Sequence, residues 1–466
     1  MKLPSEKTVG IIGAGLAGSE AAWHLAEQGI GVDLYEMRPT KMTEAHRSSS
    51  CAELVCSNSF KSLNLENAHG LLKEELRLQK SLILDSAERF SLPAGQALAV
   101  DREPFSAHIS SSLENHSLIT IKREEIEDIE ALLSRYKRVL IATGPLTSES
   151  LSRNLECLLG TNHLSFYDAI APVVDAESID RDVVFRASRY GKGEADYLNC
   201  PMNERQYETF VTEVSRAEKV ELHSFEDIRP FEGCLPIEVM VERGKDTLRY
   251  GPMKPVGLEH PETGEKFHAV VQLRQENAAA SLYNLVGFQT KMSWGFQKKV
   301  FRMIPGLENA EFVRLGSIHR NTFINSPQVL TPRLHLKKHP RIFMAGQIIG
   351  VEGYIESTAM GLCAAKQIAG DLMNRDQQVP DPDTMCGALI RYITQSDPKH
   401  FQPMNANFGL LDPPEEKMSK SHRKAWFSER ALKTLKDSLP VEPMRSPFNT
   451  SQAEQKMSEK AGQDAA

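Results

Sequence analysis

Residues 9–38 of the chain read VGIIGAGLAGSEAAWHLAEQGIGVDLYEMR: an apolar run, a glycine-rich turn, a helical pattern and a second apolar run. The first run, Val9–Ile12, predicts a parallel strand that is buried on both faces. A helix is expected over Ser19–Gln28, with its N-terminal N–H groups pointing at a phosphate, and a second strand over Ile30–Tyr35. Glu36 at the end of that strand is placed to bind a ribose 2′-hydroxyl. Together these features, within about 30 residues, predict a dinucleotide-binding, Rossmann-like α/β domain.

The glycine-rich turn, GAGLAG at residues 13–18, supplies most of the predicted cofactor contacts. Its glycines permit a tight turn, a close approach of the backbone to a pyrophosphate, and close packing of a helix on the strand. RVLIATG at 138–144 predicts a further strand that ends in a glycine turn. RIFMAG at 341–346 resembles the first strand and leads into a helix expected over Ser357–Met373, so the chain is predicted to return to the same domain, as is typical of FAD folds. The predicted cofactor-binding residues are Gly13, Ala14, Gly15, Leu16, Ala17, Gly18, Glu36, Gly144 and Gly346.

The composition bounds the class of protein. A chain of 466 residues predicts two or three structural units, and 41% hydrophobic with 25% charged residues is ordinary for a soluble globular protein. No apolar run approaches the roughly 20 residues of a membrane span, and the first strand leaves no room before it for a signal peptide. Seven scattered cysteines indicate free thiols in a reducing cytoplasm. Because the net charge is −7, a nucleic-acid partner would have to bind a local basic patch.

A change of composition divides the chain into five predicted segments. Pro, Gly and short mixed strands are frequent over 146–325, which predicts an inserted domain of mixed α+β structure. The FAD-binding domain is therefore expected in two parts, 1–145 and 326–412. A basic helical segment is expected at 413–445, and a disordered polar tail at 446–466.

Many short motifs outside the nucleotide fingerprint carry a resemblance to one enzyme family. They run from near residue 9 to about residue 436 and include ELVCSNSF, ALAVDRE, ATGPLTSE, YLNCPM, GPMKPVGL, VVQLRQE, NLVGFQT, IPGLENAEF, HRNTF, GVEGYIES and FQPMNANFGL. In these motifs the chain resembles the folate- and FAD-dependent tRNA (uracil-5-)-methyltransferases. The resemblance implies a glutathione-reductase-like FAD domain with an insertion domain, as in the larger flavoprotein that modifies the tRNA wobble uridine.

The resemblance also implies a reaction. A one-carbon unit from 5,10-methylenetetrahydrofolate would be transferred to C5 of the T-loop uridine (U54) of tRNA, and reduced FAD, recharged by NAD(P)H, would complete the methyl group. The T-arm of tRNA is then the expected partner, with no metal and no membrane involved. Two alternatives stay open: the same chemistry on a ribosomal RNA uridine, and a flavin disulfide oxidoreductase that uses Cys51 and Cys56. Such oxidoreductases usually carry a second GxGxxG in mid-chain, which this sequence does not have.

Two cysteines are candidates for covalent catalysis. C5 of uracil is a poor nucleophile, and a thiolate that adds at C6 converts the ring into an enolate that can attack an electrophilic carbon. Cys234 in FEGCLP lies in an irregular, Gly- and Pro-flanked context, and Cys56 in ELVCSNS precedes a polar run that could begin a helix and so lower the thiol pKa. The family carries a catalytic cysteine at each motif. Cys234 is the expected nucleophile toward C6, and Cys56 is expected at the flavin, as the base for the C5 proton or as a transient partner of the one-carbon unit. The residues alone do not settle which cysteine has which role.

The other candidates are open to two interpretations. Core packing is predicted for three further cysteines in apolar helical patterns, Cys157, Cys363 and Cys386. Cys51 and Cys200 are weaker candidates for a functional role. His319–Asn321 is expected either to hold the folate or a phosphate or to form a surface turn. Tyr354 is expected either to stack on the pterin or flavin or to pack in the core.

Recognition of tRNA requires basic patches. The helix predicted from Lys417 to Lys436 carries Trp426 and Phe427 among its cations, a combination suited to phosphate contact and base stacking. The same pattern fits a helix that packs Trp426 on the domain. Arg333–Arg341 is a second candidate patch. Chemistry on a base also requires a pocket that accepts a flipped uridine beside the flavin.

Overall fold

The computed structural model describes residues 9–43, 45–160, 164–169, 171–191, 194–218, 235–316, 318–375, 378–416 and 418–439, of which 164–169, 318–320 and 420 are described by their backbone alone. Cys234, Lys417 and the tail predicted at 446–466 lie outside these ranges. The strands are β1 (Val9–Ile12), β2 (Val32–Tyr35), β3 (Ser59–Ser62), β4 (Ser91–Leu92), β5 (Ala97–Val100), β6 (Ile119–Lys122), β7 (Arg138–Ile141), β8 (Leu164–Ala169), β9 (Val173–Asp175), β10 (Phe185–Ala187), β11 (Tyr197–Met202), β12 (Ala269–Gln275), β13 (Leu282–Leu285), β14 (Phe312–Arg314), β15 (Ile318–Phe323) and β16 (Ile342–Met344). The α-helices are α1 (Leu16–Glu27), α2 (Ala68–Leu78), α3 (Leu82–Arg89), α4 (Arg102–Asn115), α5 (Ile129–Arg135), α6 (Glu149–Leu159), α7 (Glu204–Ser215), α8 (Ile237–Arg243), α9 (Thr247–Tyr250), α10 (Trp294–Phe301), α11 (Ser326–Val329), α12 (Tyr354–Met373), α13 (Met385–Gln395) and α14 (Lys420–Ser438).

The predicted nucleotide-binding unit forms the centre of a five-stranded sheet. The strand order is β16-β7-β1-β2-β6, and every neighbouring pair is parallel. β1 lies in the middle and is buried along its whole length, as its apolar sequence requires. The predicted return of the chain is seen in β16, which pairs with β7 in the register Ile342↔Val139. The Rossmann-like parallel sheet is therefore confirmed.

Two helices beside this sheet approach each other at backbone distance. A Cβ atom added at Gly18 in α1 would lie 1.8 Å from the Gly13 carbonyl oxygen. One added at Gly361 in α12 would lie 2.2 Å from the Ala17 carbonyl oxygen. Only glycine fits such contacts, so these positions hold α1 against the turn and α12 against α1.

The helix boundaries differ from the predicted ones at three places. α1 and α12 start about one turn earlier than predicted, at Leu16 and Tyr354, since the glycine immediately before each helix is its N-cap. The apolar stripe of residues 68–90 predicts one helical stretch. The structure has two helices there, α2 and α3, because Lys80 between them has a φ of 58°. A residue in this left-handed region does not continue an α-helix. Within the described ranges, no helix combines the length and apolar character needed to cross a membrane.

The middle of the chain forms a second unit with its own core. Its sheet has six antiparallel strands in the order β10-β11-β12-β13-β9-β14, and apolar residues of α7, α8 and α10 join the same hydrophobic cluster. This is the mixed α+β architecture expected for the insertion at 146–325. Helix α6, which follows the predicted boundary at residue 145, instead packs Leu151, Leu155 and Leu159 in the core of the parallel sheet.

A buried carboxyl group on α1 makes the stability depend on pH. Glu20 is fully buried, and its Oε2 atom accepts hydrogen bonds from Ser81 Oγ and Ile83 N, both at 3.0 Å. Burial raises the pKa of Glu20 from 4.5 to about 7. Between these two values the folded protein holds a proton that the unfolded chain has released. This contribution to stability is therefore present at low pH and is lost as the pH rises through about 7.

The Glu20→Gln variant is expected to lose this dependence, because glutamine keeps an accepting oxygen for Ser81 and Ile83 and carries no charge. Denaturant unfolding at about pH 5 and about pH 8 should show a fall in the wild-type free energy of unfolding that exceeds the fall in the variant by up to roughly 3 kcal/mol. Glu130→Gln, at an exposed position, is the control. Equal falls in wild type and Glu20→Gln would contradict the role of this carboxyl group.

Candidate functional site

The carboxyl end of the parallel sheet contains the glycine-rich turn between β1 and α1. Gly13 has a φ of +99°, and a Cβ added there would lie 2.6 Å from the Ala142 carbonyl oxygen. At Gly15, in contrast, an added Cβ would meet nothing within 4 Å beyond its chain neighbours. Gly15 is also the N-cap of α1, and no side chain caps this helix. The first N–H groups of α1 therefore border open space, which is the environment that a pyrophosphate needs.

Glu36 lies at the end of β2, in a cleft beside this turn. Its Oε2 atom accepts a hydrogen bond from Ala14 N at 3.0 Å, and its Oε1 atom accepts bonds from Arg38 N at 3.1 Å and Arg38 Nε at 2.8 Å. Burial acts to raise the pKa of Glu36, but the hydrogen bonds and charge of Arg38 outweigh it, so the pKa is lowered. The carboxylate is thus kept ionised at the wall of the cleft. Other residues lining the cleft include Ile12, Gly13, Gly15, Thr143 and Ser148.

The two later glycines lie at the same edge of the sheet. Gly144 follows β7 with a φ of +66°, and Gly346 follows β16 with a φ of +85°. A Cβ added at Gly346 would lie 3.0 Å from the Cβ atom of Ala17. Because the strands are parallel, their carboxyl ends place these turns around one crevice. The structure therefore brings the predicted cofactor-binding residues together, and their open, uncapped helix end and ionised acid fit a dinucleotide.

Tyr354 is the first residue of α12, at the same crevice. Its ring lies 5.5 Å from the ring of Phe60, and its hydroxyl oxygen accepts hydrogen bonds from Cys56 N at 2.9 Å and Ser57 N at 3.1 Å. The N-cap of this helix is Gly353, and no side chain caps it. Tyr354 is only partly buried, so it packs on Phe60 and still has part of its surface exposed. The tyrosine therefore fixes the loop that carries Cys56.

Cys56 lies where the two units meet. Its carbonyl oxygen accepts hydrogen bonds from Arg102 Nη2 at 3.2 Å and from Arg314 Nη2 at 3.3 Å. Arg102 is the first residue of α4 beside the parallel sheet, and Arg314 ends β14 of the second unit. Arg102 also pairs with Glu276 of the second unit at 2.9 Å. The backbone of Cys56 is thus held from both units, while the residue itself is partly exposed.

The polar run after Cys56 does not begin a helix, so that prediction is wrong. The run leads instead into β3. Asn58 is fully buried and donates hydrogen bonds to Val100 O at 3.2 Å and to Gln275 O at 3.0 Å. These tertiary contacts hold the segment extended. The positive charge near Cys56 comes from Arg102 and Arg314, which both bond to its carbonyl oxygen.

Cys234 lies in the part of the chain that is not described, but both flanks of its segment are. Ser293 N donates to the carbonyl oxygen of Glu218 at 2.9 Å, and Ile237 N donates to the carbonyl oxygen of Gln289 at 2.9 Å. Glu218 and Ile237, one on each side of that segment, therefore both bond to residues 289–293 of the second unit. The role of Cys234 stays a prediction.

The other cysteines are mostly structural. Cys363 and Cys386 are buried, as predicted, and Cys51 and Cys200 are buried too. The prediction that Cys157 is a core residue is wrong: it is exposed, because the buried stripe of α6 runs through Leu151, Leu155 and Leu159 on another face. Burial also raises the pKa of the Cys51 thiol, which disfavours the thiolate that a redox-active pair would need.

The segment His319–Asn321 is not a surface turn, so that alternative is wrong. It lies within β15, which pairs with β8 in an antiparallel sheet of two strands. Asn321 is buried. The other alternative, contact with folate or a phosphate, stays a prediction.

The two basic segments differ in how far their cations are engaged. In α14, Phe427 and Ala431 are buried in the first core, and the Arg430 guanidinium lies 4.3 Å from the Trp426 ring centroid. The packing interpretation of this helix thus describes its apolar face, while its polar face includes exposed His422, Arg423 and Lys433. In the second segment, 333–341, three cations hydrogen-bond to the protein itself. Arg333 bonds to Gln367 and Asp371, and Lys337 bonds to the carbonyl oxygen of Pro327. Arg341 bonds to the carbonyl oxygens of Leu133, Tyr136 and Lys137.

Sequence reasoning missed the arginines around Cys56. Arg102 lies in ALAVDRE. Arg274, on β12 and with an electrostatic interaction with Cys56, lies in VVQLRQE. Both motifs carry the family resemblance, so a signal was present for both. Nothing in the sequence singles out Arg314, because its position depends on the pairing of β14 with β9. Within the described ranges, no group of His, Cys, Asp and Glu is arranged to hold a metal ion.

Comparison with known proteins gives close relatives over nearly the whole chain. The family model described as glucose inhibited division protein A, GIDA, matches residues 8–376. The chain is 55% identical over 427 residues to the methylenetetrahydrofolate–tRNA-(uracil-5-)-methyltransferase TrmFO of Natranaerobius thermophilus, covering 92% of this chain and 98% of that protein. It is 55% identical over 428 residues to TrmFO of Enterococcus faecalis, covering 91% and 97%.

Solved structures with a similar fold are more distant in sequence. GidA of Aquifex aeolicus superposes with a TM-score of 0.69 at 16% identity, over 94% of this chain and 77% of that one. A second crystal form of the same protein gives a TM-score of 0.67 at 17% identity. At this level of identity the likeness concerns the fold alone.

Proposed function

The chain belongs to the family of methylenetetrahydrofolate–tRNA-(uracil-5-)-methyltransferases, and from this premise we propose that it methylates C5 of the T-loop uridine of tRNA. The carbon donor is 5,10-methylenetetrahydrofolate, and FAD reduced by NAD(P)H is the reductant. One observation supports this best. The backbone of Cys56 is bonded to Tyr354 at the nucleotide crevice and to Arg314 of the second unit, so a thiol lies between the cofactor side and the second unit.

The residues of the crevice would hold FAD. Its pyrophosphate would bind at the open first turn of α1, next to Gly15, and its adenosine ribose would bind the ionised carboxylate of Glu36. Gly13 and Gly18 shape the turn, and Gly346 keeps the neighbouring loop clear of Ala17. FAD bound here, once reduced by NAD(P)H, would supply the two electrons that reduce the transferred one-carbon unit to a methyl group.

The two cysteines divide the chemistry on the pyrimidine. The Cys234 thiolate adds to C6, which makes C5 nucleophilic toward the one-carbon unit. The C5 proton is then lost and tetrahydrofolate departs from the transferred carbon. Once that carbon has been reduced to a methyl group, the thiolate leaves C6 and the C5–C6 double bond is restored. Cys56 acts on the flavin side, as the base for the C5 proton or as the transient partner of the carbon, because Tyr354 ties its loop to the start of α12. Arg102 and Arg314 position this loop through the Cys56 carbonyl oxygen.

The test is formation of 5-methyluridine in a T-arm RNA incubated with the flavin-loaded protein, methylenetetrahydrofolate and NADPH. Methylation of the T-loop uridine, and its absence when the folate is left out, is the expected result. A ribosomal RNA fragment and a disulfide substrate are assayed in parallel. Activity on either of these, with none on the T-arm, would overturn the proposal in favour of the corresponding alternative.

Binding of tRNA is expected to involve the basic segment 413–445, which includes α14. Changing Lys417, Lys420, Arg423 and Lys424 together to glutamine should reduce the salt dependence of tRNA binding, because each lost phosphate contact lowers the slope of log K against log salt by about 0.7 to 0.9. The slope is measured by equilibrium binding across salt concentrations. A quadruple glutamine variant of exposed Arg135, Lys137, Arg153 and Lys266 removes the same number of charges and is the control. A slope equal to the wild-type slope would remove α14 from the interface.

A further inference from the structure

The arginines around Cys56 outnumber the carboxylates that could neutralise them. Glu276 is the carboxylate with the largest electrostatic effect on each of Arg102, Arg274 and Arg314. Arg102 already uses both oxygens of Glu276, through Nε at 2.9 Å and Nη2 at 3.3 Å. Two guanidinium groups near Cys56 are thus left without a carboxylate partner among the described residues.

Arg274 is the more exceptional of the two. It is only 8% exposed, on β12 of the second unit. Its Nε atom is buried without a hydrogen-bond partner, and the described part of the chain offers its guanidinium neither a hydrogen bond nor an ion pair. A buried charge without a partner is costly, and proteins rarely keep one unless something binds it.

Arg314 on β14 lies in the same row of the sheet, because Arg274 pairs with Asn284, Asn284 with Val173, and Val173 with Arg314. Directly paired residues project from one face of a sheet, so both arginines are on the same face, three strands apart. The Nη2 atom of Arg314 donates to the Cys56 carbonyl oxygen at 3.3 Å, but its buried Nε atom has no partner in the described chain. Burial lowers the pKa of both Arg274 and Arg314, and the charge of Arg102 acts in the same direction. An anion bound in this region would offset the cost of burying the two guanidinium groups and balance the charge of Arg102. It would also give the unpartnered Nε atoms a hydrogen-bond acceptor. The bond from Arg314 to the Cys56 carbonyl oxygen places this region at the border of the candidate active site.

We propose that Arg274 and Arg314 form a subsite beside Cys56 for an oxyanion that a substrate carries. The planar forks of two guanidinium groups match the oxygens of a carboxylate or phosphate. The inference rests on the proposed function, under which the substrates offer two such groups: the glutamate carboxylates of the folate and the backbone phosphate of the target nucleotide. Binding either one would place that substrate against Cys56 and neutralise the buried charge.

The experiment compares ligand pairs that differ only in the anion. The first pair is tetrahydrofolate and tetrahydropteroate, which lacks the glutamate. The second is a T-arm RNA with a native phosphate or a neutral methylphosphonate 5′ to the target uridine. Equilibrium binding to the flavin-loaded protein is measured for wild type, Arg274→Gln, Arg314→Gln, the conservative Arg274→Lys, and an exposed control, Arg153→Gln.

In one of the two ligand pairs, the wild type is expected to bind the charged ligand about 10- to 100-fold more tightly than the uncharged one, as for a buried charge-assisted hydrogen bond. Arg274→Gln and Arg314→Gln should each lose most of that preference, Arg274→Lys should keep part of it, and Arg153→Gln should keep all of it. Loss in the tetrahydrofolate pair identifies a carboxylate, and loss in the RNA pair identifies a phosphate. An unchanged preference in both pairs, or an equal loss in both, would overturn the subsite.

Stability separates ligand binding from a structural role. Arg274→Met should be at least as stable as wild type without substrates, because it removes a buried charge that has no partner. A marked fall in melting temperature would show that Arg274 is structural and overturn the inference. A wild type that forms no 5-methyluridine but keeps its anion preference would contradict the proposed reaction and leave the subsite intact.

Discussion

Methyl transfer is expected to fall by at least about 1,000-fold in the Cys56→Ala and Cys234→Ala variants, while FAD remains bound. Without a thiolate to add at C6, C5 of the uracil has no nucleophilic character. Without the thiol at Cys56, the C5 proton or the one-carbon unit loses its partner on the flavin side. Turnover is measured as 5-methyluridine formed per minute in the T-arm RNA, and the flavin absorbance of each variant shows that it is folded.

The matched control is Cys157→Ala, because Cys157 is an exposed cysteine on α6, away from Cys56. It should retain wild-type turnover. The two catalytic roles are separated with a 5-fluorouridine RNA, whose C5 fluorine cannot leave as a proton. The covalent RNA adduct should form in Cys56→Ala and be absent in Cys234→Ala. Adduct formation in Cys234→Ala alone would exchange the two assignments, and full turnover in either alanine variant would exclude that cysteine from the chemistry.

Two glycine substitutions in the same turn are expected to differ in their effect on stability, although both reduce cofactor binding. In Gly18→Ala the new Cβ would lie 1.8 Å from the Gly13 carbonyl oxygen, so the start of α1 must move away from β1. Overpacking of this kind typically costs about 1–3 kcal/mol, and we expect the upper end of that range because the neighbouring atom belongs to the backbone. The protein should then unfold at a lower temperature and be isolated with little flavin.

Gly15→Ala is the matched comparison. The new Cβ would meet nothing within 4 Å beyond its chain neighbours, and the φ of −73° suits alanine, so the protein without FAD should keep its melting temperature. Its FAD affinity should nevertheless fall about 10- to 100-fold, because the methyl group would occupy the space proposed for the pyrophosphate. Thermal unfolding without FAD and flavin titration measure the two effects separately. Normal FAD affinity in Gly15→Ala would place the pyrophosphate elsewhere.

The local pattern predicts much of the cofactor crevice. Glycine spacing, a buried strand on each side and a terminal acid are all short-range features, and the turn, α1, β2 and Glu36 follow from them. The return through β16 could also be predicted, because RIFMAG repeats the character of the first strand. The observed helix starts, Leu16 and Tyr354, differ from the predicted Ser19 and Ser357, because a glycine N-cap has no side chain that marks it in the sequence.

The surroundings of Cys56 could not be predicted in the same way. The polar run after it has no periodicity, and buried contacts from Asn58 to Val100 and Gln275 hold it extended toward β3. The outward position of Cys157 was missed for a related reason: an apolar sequence context does not say which face of α6 is covered.

The sequence by itself determined the parallel nucleotide-binding sheet, its glycine-rich turn, and the two cysteine motifs, because each depends on residues close together in the chain. Only the tertiary structure decided that Arg102, Arg274, Arg314 and Glu276 gather around Cys56. These residues come from α4, from β14 and from the end of β12, and their proximity depends on how the second unit packs against the first. A charge balance between distant segments is a property of that packing, and no local pattern encodes it.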